Sequence, residues 1–266
     1  MDLSSGALLM AAGLASGLAG SIAGLASLAS YPALLAFGLP PVVANVTNTV
    51  AMFSTTVGAA TGSRPELRGQ TRRVLRLVAV AAAGGSLGAW LLLTTPASAF
   101  EAVVPWLIAL GSALLLARDR LRAWAEARAA RAAAAAAADP SADPGEAPAP
   151  SFLPLVVPVA LVGLYGGYFG AASGVLMLAV LCATATEPLP VTNAVKNLAT
   201  GAANVTAAVA FAFLAPVHWP AAGLLSCGCL VGSWLGPKVV RRLPERPLRY
   251  AIAAAGFGLA LSLLVV

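Results

Sequence analysis

The sequence predicts an all-α polytopic membrane protein built from two inverted repeats, each a glycine-rich broken-helix hairpin followed by three transmembrane helices. The 266-residue chain is 59% hydrophobic and only 10% charged, whereas soluble domains have about 25% charged residues. Apolar runs of about 20 residues, the length that crosses a bilayer, recur along it. One pattern of glycine, proline and asparagine also occurs twice. Together these observations indicate a duplicated membrane protein.

The first element of each half is a glycine-rich apolar segment. Residues 1–40 and 151–190 are each about forty residues long, twice what one span needs. Both have glycines in mid-run at the same spacings, 150 positions apart, so we predict a hairpin of two short or broken helices in each. The paired glycines are Gly13, Gly17, Gly20 and Gly24 in the first half, and Gly163, Gly167, Gly170 and Gly174 in the second.

A proline-led helix comes next in each half. "PVVANVTN" at residues 41–48 and "PVTNAVKN" at residues 190–197 share P-V-x-x-x-V-x-N. Proline is favoured at the first position of a helix. Further along, "GSLG" at residues 85–88 matches "GSWLG" at residues 232–236. Three matches in the same order indicate an internal duplication. The predicted spans are residues 41–62, 71–93 and 102–122, then 190–214, 219–241 and 247–265.

The segment between the halves is not a membrane span. Residues 118–150 begin as a charged, alanine-rich helix that extends the preceding span, and then become a linker rich in proline, aspartate and alanine. We predict that this segment is cytoplasmic. It separates a first transmembrane repeat, residues 1–117, from a second, residues 151–266.

The basic residues predict that the two repeats are inverted. Arginines cluster at residues 64–76 in the first half, and basic residues cluster at 238–249 in the second. These are different loops of the repeat, and loops rich in lysine and arginine face the cytoplasm. The halves therefore have opposite orientations, as in many secondary transporters. Both chain termini are then expected outside.

Two polar stripes make up the predicted binding site. Each lies on a proline-led helix and begins in its first turn, where free N–H groups and the positive dipole end favour an anion. Together with hairpin glycines, they predict a small anion bound near the midplane between the repeats. The alternative is that the asparagines only hold helices together. The predicted residues are Asn45, Asn48, Thr49, Asn193, Lys196, Asn197, Gly20, Gly24, Gly170 and Gly174.

The charges favour an anionic substrate. None of the ten acidic residues lies deep in a predicted span, and cation carriers and carboxylate proton relays usually need one there. If transport is coupled to protons, the substrate itself can carry the proton. Lys196 has no carboxylate within a turn in the sequence, and we expect it to attract the anion. The alternative is a lysine that snorkels to the interface.

The expected partners are the lipid bilayer and a small anionic substrate, in the plasma (inner) membrane. The sequence indicates no cofactor, no metal, no nucleic acid and no catalytic residue, and it leaves a homo-oligomer open. The sequence leaves three other functions open. They are an anion channel, an intramembrane serine enzyme using Ser173 and His218, and a structural membrane subunit.

These motifs resemble the TauE/SafE family. The resemblance rests on the duplicated glycine segment, the two proline-led helices, and "HWPAAGLLSCGCLVGSWLGPKVVRRLPERPLR" at residues 218–249. It covers nearly the whole chain except residues 118–150. It implies a permease that exports sulfite, an organosulfonate or a related organosulfur or carboxylate anion.

Overall fold

The computed structural model describes residues 3–23, 26–62, 71–137, 153–182, 189–240 and 245–265, and all regular secondary structure in these ranges is helical. The prediction of an all-α protein is therefore confirmed. The helices are α1 (Leu3–Ala23), α2 (Ala26–Ala36), α3 (Pro41–Gly62), α4 (Thr71–Thr94), α5 (Ala97–Ala137), α6 (Leu153–Tyr168), α7 (Ser173–Cys182), α8 (Leu189–Leu214), α9 (Trp219–Val240) and α10 (Glu245–Val265).

Each glycine-rich segment contains two helices, and the second one is short. Helix α2 has 11 residues and α7 has 10, so each is only about 15 Å long, half of the hydrocarbon core. The backbone between α6 and α7 turns through left-handed conformations at Gly170 (φ 79°) and Ala172 (φ 59°). The chain is thus interrupted inside an apolar segment. The positions that correspond to Gly170 and Ala172 at an offset of 150, Gly20 and Ile22, lie within the continuous helix α1, and Gly24 lies outside the described residues.

Helix α5 is longer than the predicted span 102–122. It begins directly after Pro96, whose carbonyl oxygen accepts hydrogen bonds from the N–H groups of Ala99 and Phe100. It continues to Ala137 because alanine and arginine have high helix propensity and no glycine or proline follows Ser112 in the helix. Residues 138–150 of the predicted linker lie outside the described residues.

The described surface is apolar and the interior holds polar groups. Large side chains such as Trp90, Trp106 and Phe213 are 60%, 65% and 83% exposed, and a soluble monomer rarely exposes so many together. This distribution fits a protein that is surrounded by lipid. Buried polar side chains include Ser16, Ser30, Asn45, Thr47, Asn48, Thr49, Ser112, Ser173 and Thr192.

Several helices have the length and composition of membrane spans. Among the described residues, three are long and apolar enough to cross a bilayer: Thr71–Thr94, Ala97–Ala117 and Ala194–Leu214. Shorter apolar helices cover Gly6–Leu18, Leu155–Tyr168, Ser173–Cys182 and Trp219–Gly232. The membrane-spanning parts are therefore present in both halves.

The helices of the two halves pack against each other rather than forming two separate bundles. Helix α1 packs against α9, and α6 packs against α4, so the first helix of each half meets the fourth helix of the other. Helices α3 and α8 contact each other, and so do α5 and α10. The core is therefore shared between the halves.

Glycines allow the two crossings to be close. A Cβ atom on Gly88 of α4 would overlap the Leu164 carbonyl oxygen on α6, and one on Gly232 of α9 would overlap the Leu14 carbonyl oxygen on α1. Small residues of this kind are typical where membrane helices touch through their backbones. Leu14 and Leu164 are 150 positions apart. The two crossings therefore use corresponding atoms.

The glycines one turn earlier repeat this correspondence and correct one sequence match. Gly84 approaches Ala160, and Gly228 approaches Met10. The two partners, Met10 and Ala160, are again 150 positions apart. The match that paired residue 85 with residue 232 is therefore wrong by three positions. Its letters agree, but the packing follows the i, i+4 glycine spacing that the two helices share.

We expect Gly232→Ala to lower the melting temperature of the detergent-purified protein by about 5 °C, because overpacking costs about 1–3 kcal/mol. Gly223→Ala is the matched control on the same helix. Gly223 is exposed and nothing lies near its missing Cβ, so this change should leave the melting temperature unchanged or raise it slightly. Equal stability of the two variants would contradict the close α1–α9 contact.

Candidate functional site

The first turns of α3 carry a buried polar cluster. Asn45 and Asn48 are only 1% and 2% exposed, and Thr47 and Thr49 are also buried. The Ser30 hydroxyl of α2 donates to Asn48 Oδ1, and the Thr49 hydroxyl donates to the Asn45 main-chain oxygen at 3.0 Å. The predicted stripe on α3 is therefore an interior surface, and Asn48 is held by the helix that precedes it.

Asn45 connects the two halves of the chain. Its side-chain nitrogen Nδ2 donates to the main-chain oxygen of Tyr168, at the end of α6, over 2.8 Å. Its side-chain oxygen Oδ1 is buried and accepts no hydrogen bond from the described part of the chain. Exchanging the two amide atoms would place Oδ1 against a carbonyl oxygen, so the donor assignment is fixed by Tyr168. Asn45 therefore presents an unused acceptor beside the α6–α7 break.

Most carbonyl oxygens at the break accept a hydrogen bond. The N–H groups of Phe169 and Gly170 donate to the Tyr165 carbonyl at 2.9 and 3.0 Å, and the N–H of Ser173 donates to the Gly170 carbonyl at 3.3 Å. The Tyr165 hydroxyl donates to the carbonyl oxygen of Ala171 at 2.7 Å. These bonds satisfy backbone oxygens that would otherwise be costly inside a membrane.

Backbone donors remain available at the same break. The N–H groups of Ala171, Ala172 and Gly174 make no hydrogen bond within the described residues. Backbone N–H groups beside left-handed residues form concavities that bind anions, and the N-terminus of α7 adds the positive end of a helix dipole. The break thus combines free donors with the acceptor of Asn45.

The second half contributes Asn204 to this place. A Cβ atom on Gly170 would lie 3.9 Å from Asn204 Oδ1 of α8, so the amide of Asn204 is next to the break. Within the break, the ring of Phe169 packs edge-on against Tyr31 of α2, with ring centroids 5.2 Å apart. The predicted Gly170 therefore directly follows Tyr168 and Phe169, which contact α3 and α2 of the first half, and the predicted Gly174 lies one turn further, on α7.

The polar residues earlier on α8 lie at a different level. Lys196 is half-buried and precedes Asn204 by eight residues, about 12 Å along the helix axis. The Thr200 hydroxyl donates to the Lys196 main-chain oxygen at 2.8 Å. Asn45 therefore meets the end of α6 and Asn204 lies beside Gly170, whereas Lys196 lies about two turns from Asn204 along α8.

The remaining predicted site residues are placed only in part. Asn197 is half-buried. Asn193 lies on α8 and Gly20 lies on α1, but the side chain of Asn193 and the surroundings of Gly20 are not described. Asn48 and Asn197 share no hydrogen bond in the described part of the chain. The α3–α8 contact seen at Thr56 and Gly201 lies further along both helices.

Sequence reasoning missed the roles of Tyr165 and Ser30. The Tyr165 hydroxyl donates to the Ala171 carbonyl oxygen at the break, and the Ser30 hydroxyl donates to Asn48 Oδ1 in the polar cluster. Neither residue belongs to a predicted polar stripe. Tyr165 lies five positions before Gly170. A polar residue just before a glycine interruption is the signal that could have identified it.

His218 has a structural role at the start of α9. Its main-chain N–H donates to the Thr47 hydroxyl at 3.0 Å, and its Nδ1 accepts the N–H of Ala221 at 3.2 Å. The ring therefore caps α9. Among the described residues, no group of three or more histidine, cysteine or acidic residues could hold a metal ion.

Comparison with known proteins covers nearly the whole chain. The family model described as "Sulfite exporter TauE/SafE" matches residues 9–263, which includes both halves and the segment between them. Searches among curated proteins and among solved structures found no match. The chain is a multi-pass membrane protein and belongs to the TauE/SafE sulfite exporter family.

Proposed function

We propose that the protein is a secondary transporter that exports a small anion, such as sulfite, a sulfonate or a related organosulfur or carboxylate anion, across the plasma (inner) membrane. The observation that carries this proposal is the α6–α7 break. Free backbone N–H groups, the N-terminus of α7 and the amides of Asn45 and Asn204 converge there. Interrupted helices whose ends face the binding site are typical of secondary transporters.

We further propose that residues 1–117 and 151–266 are inverted repeats around this site. The reciprocal packing of α1 on α9 and of α6 on α4 is what a two-fold relation between the halves would produce. The correspondence of contacting atoms at the glycine crossings supports the same relation. Each half contributes five helices to the described fold, and an odd number of crossings reverses the orientation of the second half.

In this mechanism the two halves move relative to each other around a site that both of them line. Asn45 belongs to the first half, whereas Asn204 and the break belong to the second, so rocking of the halves would open the site to either side. Lys196, two turns from Asn204, would draw the anion towards it. The inside-negative potential favours anion export by about 2.3 kcal/mol per charge per 100 mV.

A labelling experiment tests the inverted arrangement. Single cysteines introduced at residues 64–73, 123–150 and 241–246 should react only from the cytoplasmic side. Cysteines at 95–100 and 215–218 should react from outside, because the basic loops are expected to stay in the cytoplasm. A cysteine-free parent protein serves as the control. External labelling at 241–246 together with internal labelling at 64–73 would make the repeats parallel.

A flux experiment tests transport and the role of Lys196. Proteoliposomes containing the wild-type protein should move sulfite, and Lys196→Gln should raise KM about tenfold, because a positive charge on the approach to the site raises the local concentration of the anion by about tenfold or more. Lys196→Arg should have a smaller effect. High sulfite should restore much of the rate of the glutamine variant.

Arg128→Gln is the matched control for the loss of one positive charge. Arg128 is exposed on the extension of α5 and stacks over Trp124 at 5.7 Å, so its removal should leave KM unchanged. An unaltered KM in Lys196→Gln would make the lysine an interfacial anchor. Wild-type proteoliposomes no faster than empty liposomes would refute transport of sulfite, and single-channel currents in a planar bilayer would indicate a channel.

A further inference from the structure

We propose that the anion bound at the α6–α7 break carries a hydrogen-bond donor of its own, and that Asn45 Oδ1 is the atom that recognises this donor. The chemical class is a protonated monoanion such as bisulfite, or a sulfonate with a hydroxyl group next to its charged head. The inference rests on the proposed function and specifies the form in which the substrate binds.

The first argument is that only one of the two polar atoms of the Asn45 side chain has a hydrogen-bond partner in the described chain. Its Nδ2 is committed to the Tyr168 carbonyl oxygen at 2.8 Å, which fixes the plane and direction of the amide. Its Oδ1 is buried without a partner in the described chain. An unpaired buried acceptor is costly, and so the position favours a ligand that supplies the missing hydrogen.

The second argument is that the neighbouring protein donors are engaged elsewhere. The Thr49 hydroxyl, one turn along α3, donates to the main-chain oxygen of Asn45 and not to its side chain. The Ser30 hydroxyl is held by Asn48, and the Tyr165 hydroxyl donates to the Ala171 carbonyl. No described side chain therefore completes Asn45 from within the protein.

The third argument comes from the mixture of groups at the break. The free N–H groups of Ala171, Ala172 and Gly174 are donors and suit the oxygen atoms of an anion. Asn45 Oδ1 is an acceptor and would repel a bare oxygen atom. An anion with both an oxygen and an O–H group satisfies the two kinds of partner at once, whereas a fully deprotonated oxyanion satisfies only the first.

The two halves differ at this position. In the proline-led motif, Asn45 of α3 corresponds to Ala194 of α8, 149 positions later, and Ala194 is also buried. The recognition that we propose is therefore carried by one half only, at the break between α6 and α7.

A pair of matched ligands tests the inference on the purified wild-type protein. Hydroxymethanesulfonate and ethanesulfonate have the same charge and nearly the same size, and they differ by an O–H group in place of a methyl group. We expect hydroxymethanesulfonate to bind about tenfold more tightly, because a buried acceptor left without a donor weakens binding by about this factor. Affinities are read from ligand-dependent shifts in melting temperature.

The variant Asn45→Leu identifies the atom responsible. It removes the acceptor together with the bond to the Tyr168 carbonyl oxygen, and it keeps the backbone N–H groups, so the preference for the hydroxylated ligand should fall from about tenfold to less than about twofold. The control is Ser112→Ala, which removes a buried polar group elsewhere, a hydroxyl that donates within α5 to the Ile108 carbonyl oxygen. This variant should keep the full preference. The wild-type comparison stands by itself if Asn45→Leu does not fold.

Each remaining outcome is decisive. Equal binding of the two ligands by the wild-type protein, as expected if water serves Asn45 Oδ1, would overturn the inference and leave the transport proposal intact. An unchanged preference in Asn45→Leu would overturn it as well. Binding of neither sulfonate by a protein that still moves sulfite would also refute it. Binding of neither, with no sulfite flux, would refute the transport proposal too.

Discussion

The structure depends on one constraint, which is that a polar backbone group in the hydrocarbon layer must find a partner inside the protein. A continuous helix meets this constraint by itself, but the interruption between α6 and α7 cannot. Here the partners come from outside the break: the Asn45 amide holds the Tyr168 carbonyl oxygen and the Tyr165 hydroxyl holds that of Ala171. The interruption is therefore stabilised partly by its own half, through Tyr165, and partly by Asn45 on α3 of the other half.

Close packing of the halves supplies these partners. Glycines at the α4–α6 and α1–α9 crossings let backbones touch, so polar side chains of one half reach the broken helix of the other. Asn45 of the first half satisfies the Tyr168 carbonyl oxygen, and Tyr165 and the backbone of the second half satisfy the other acceptors of the break, while several of its N–H donors make no bond in the described chain. A break stabilised through its oxygens and open at its nitrogens is suited to an anion, which agrees with a family of sulfite exporters.

Much of the fold could be predicted from the sequence, because helix length, proline positions and glycine spacing are local signals. The division of each glycine-rich segment into two helices and the start of α3 at Pro41 are of this kind. Which residue of α4 corresponds to which residue of α9 was not predictable from matching letters. Gly88 and Gly232 correspond because they contact Leu164 and Leu14, which lie on other helices. The extension of α5 beyond its span was predicted from the charged, alanine-rich sequence, but its end at Ala137 was not, because alanine runs carry no stop signal.

The candidate site was predictable only as a set of polar stripes. Periodicity placed Asn45 and Asn48 on one face of a helix, but it could not tell that Asn45 meets the other half whereas Asn48 meets Ser30 of its own half. It also grouped Lys196 with residues two turns away. The depth of each residue along α8 relative to the break is a tertiary property, and only the packing against Gly170 fixes it.

The most direct test of the account is to locate the bound anion. Crystals of the purified protein soaked in selenite, a heavier analogue of sulfite, would reveal the anion by the anomalous scattering of selenium. The account predicts a selenium peak at the α6–α7 break, within hydrogen-bonding distance of the Ala172 N–H and of Asn45 Oδ1. A peak found only beside Lys196 or at the loop arginines, with none at the break, would contradict it.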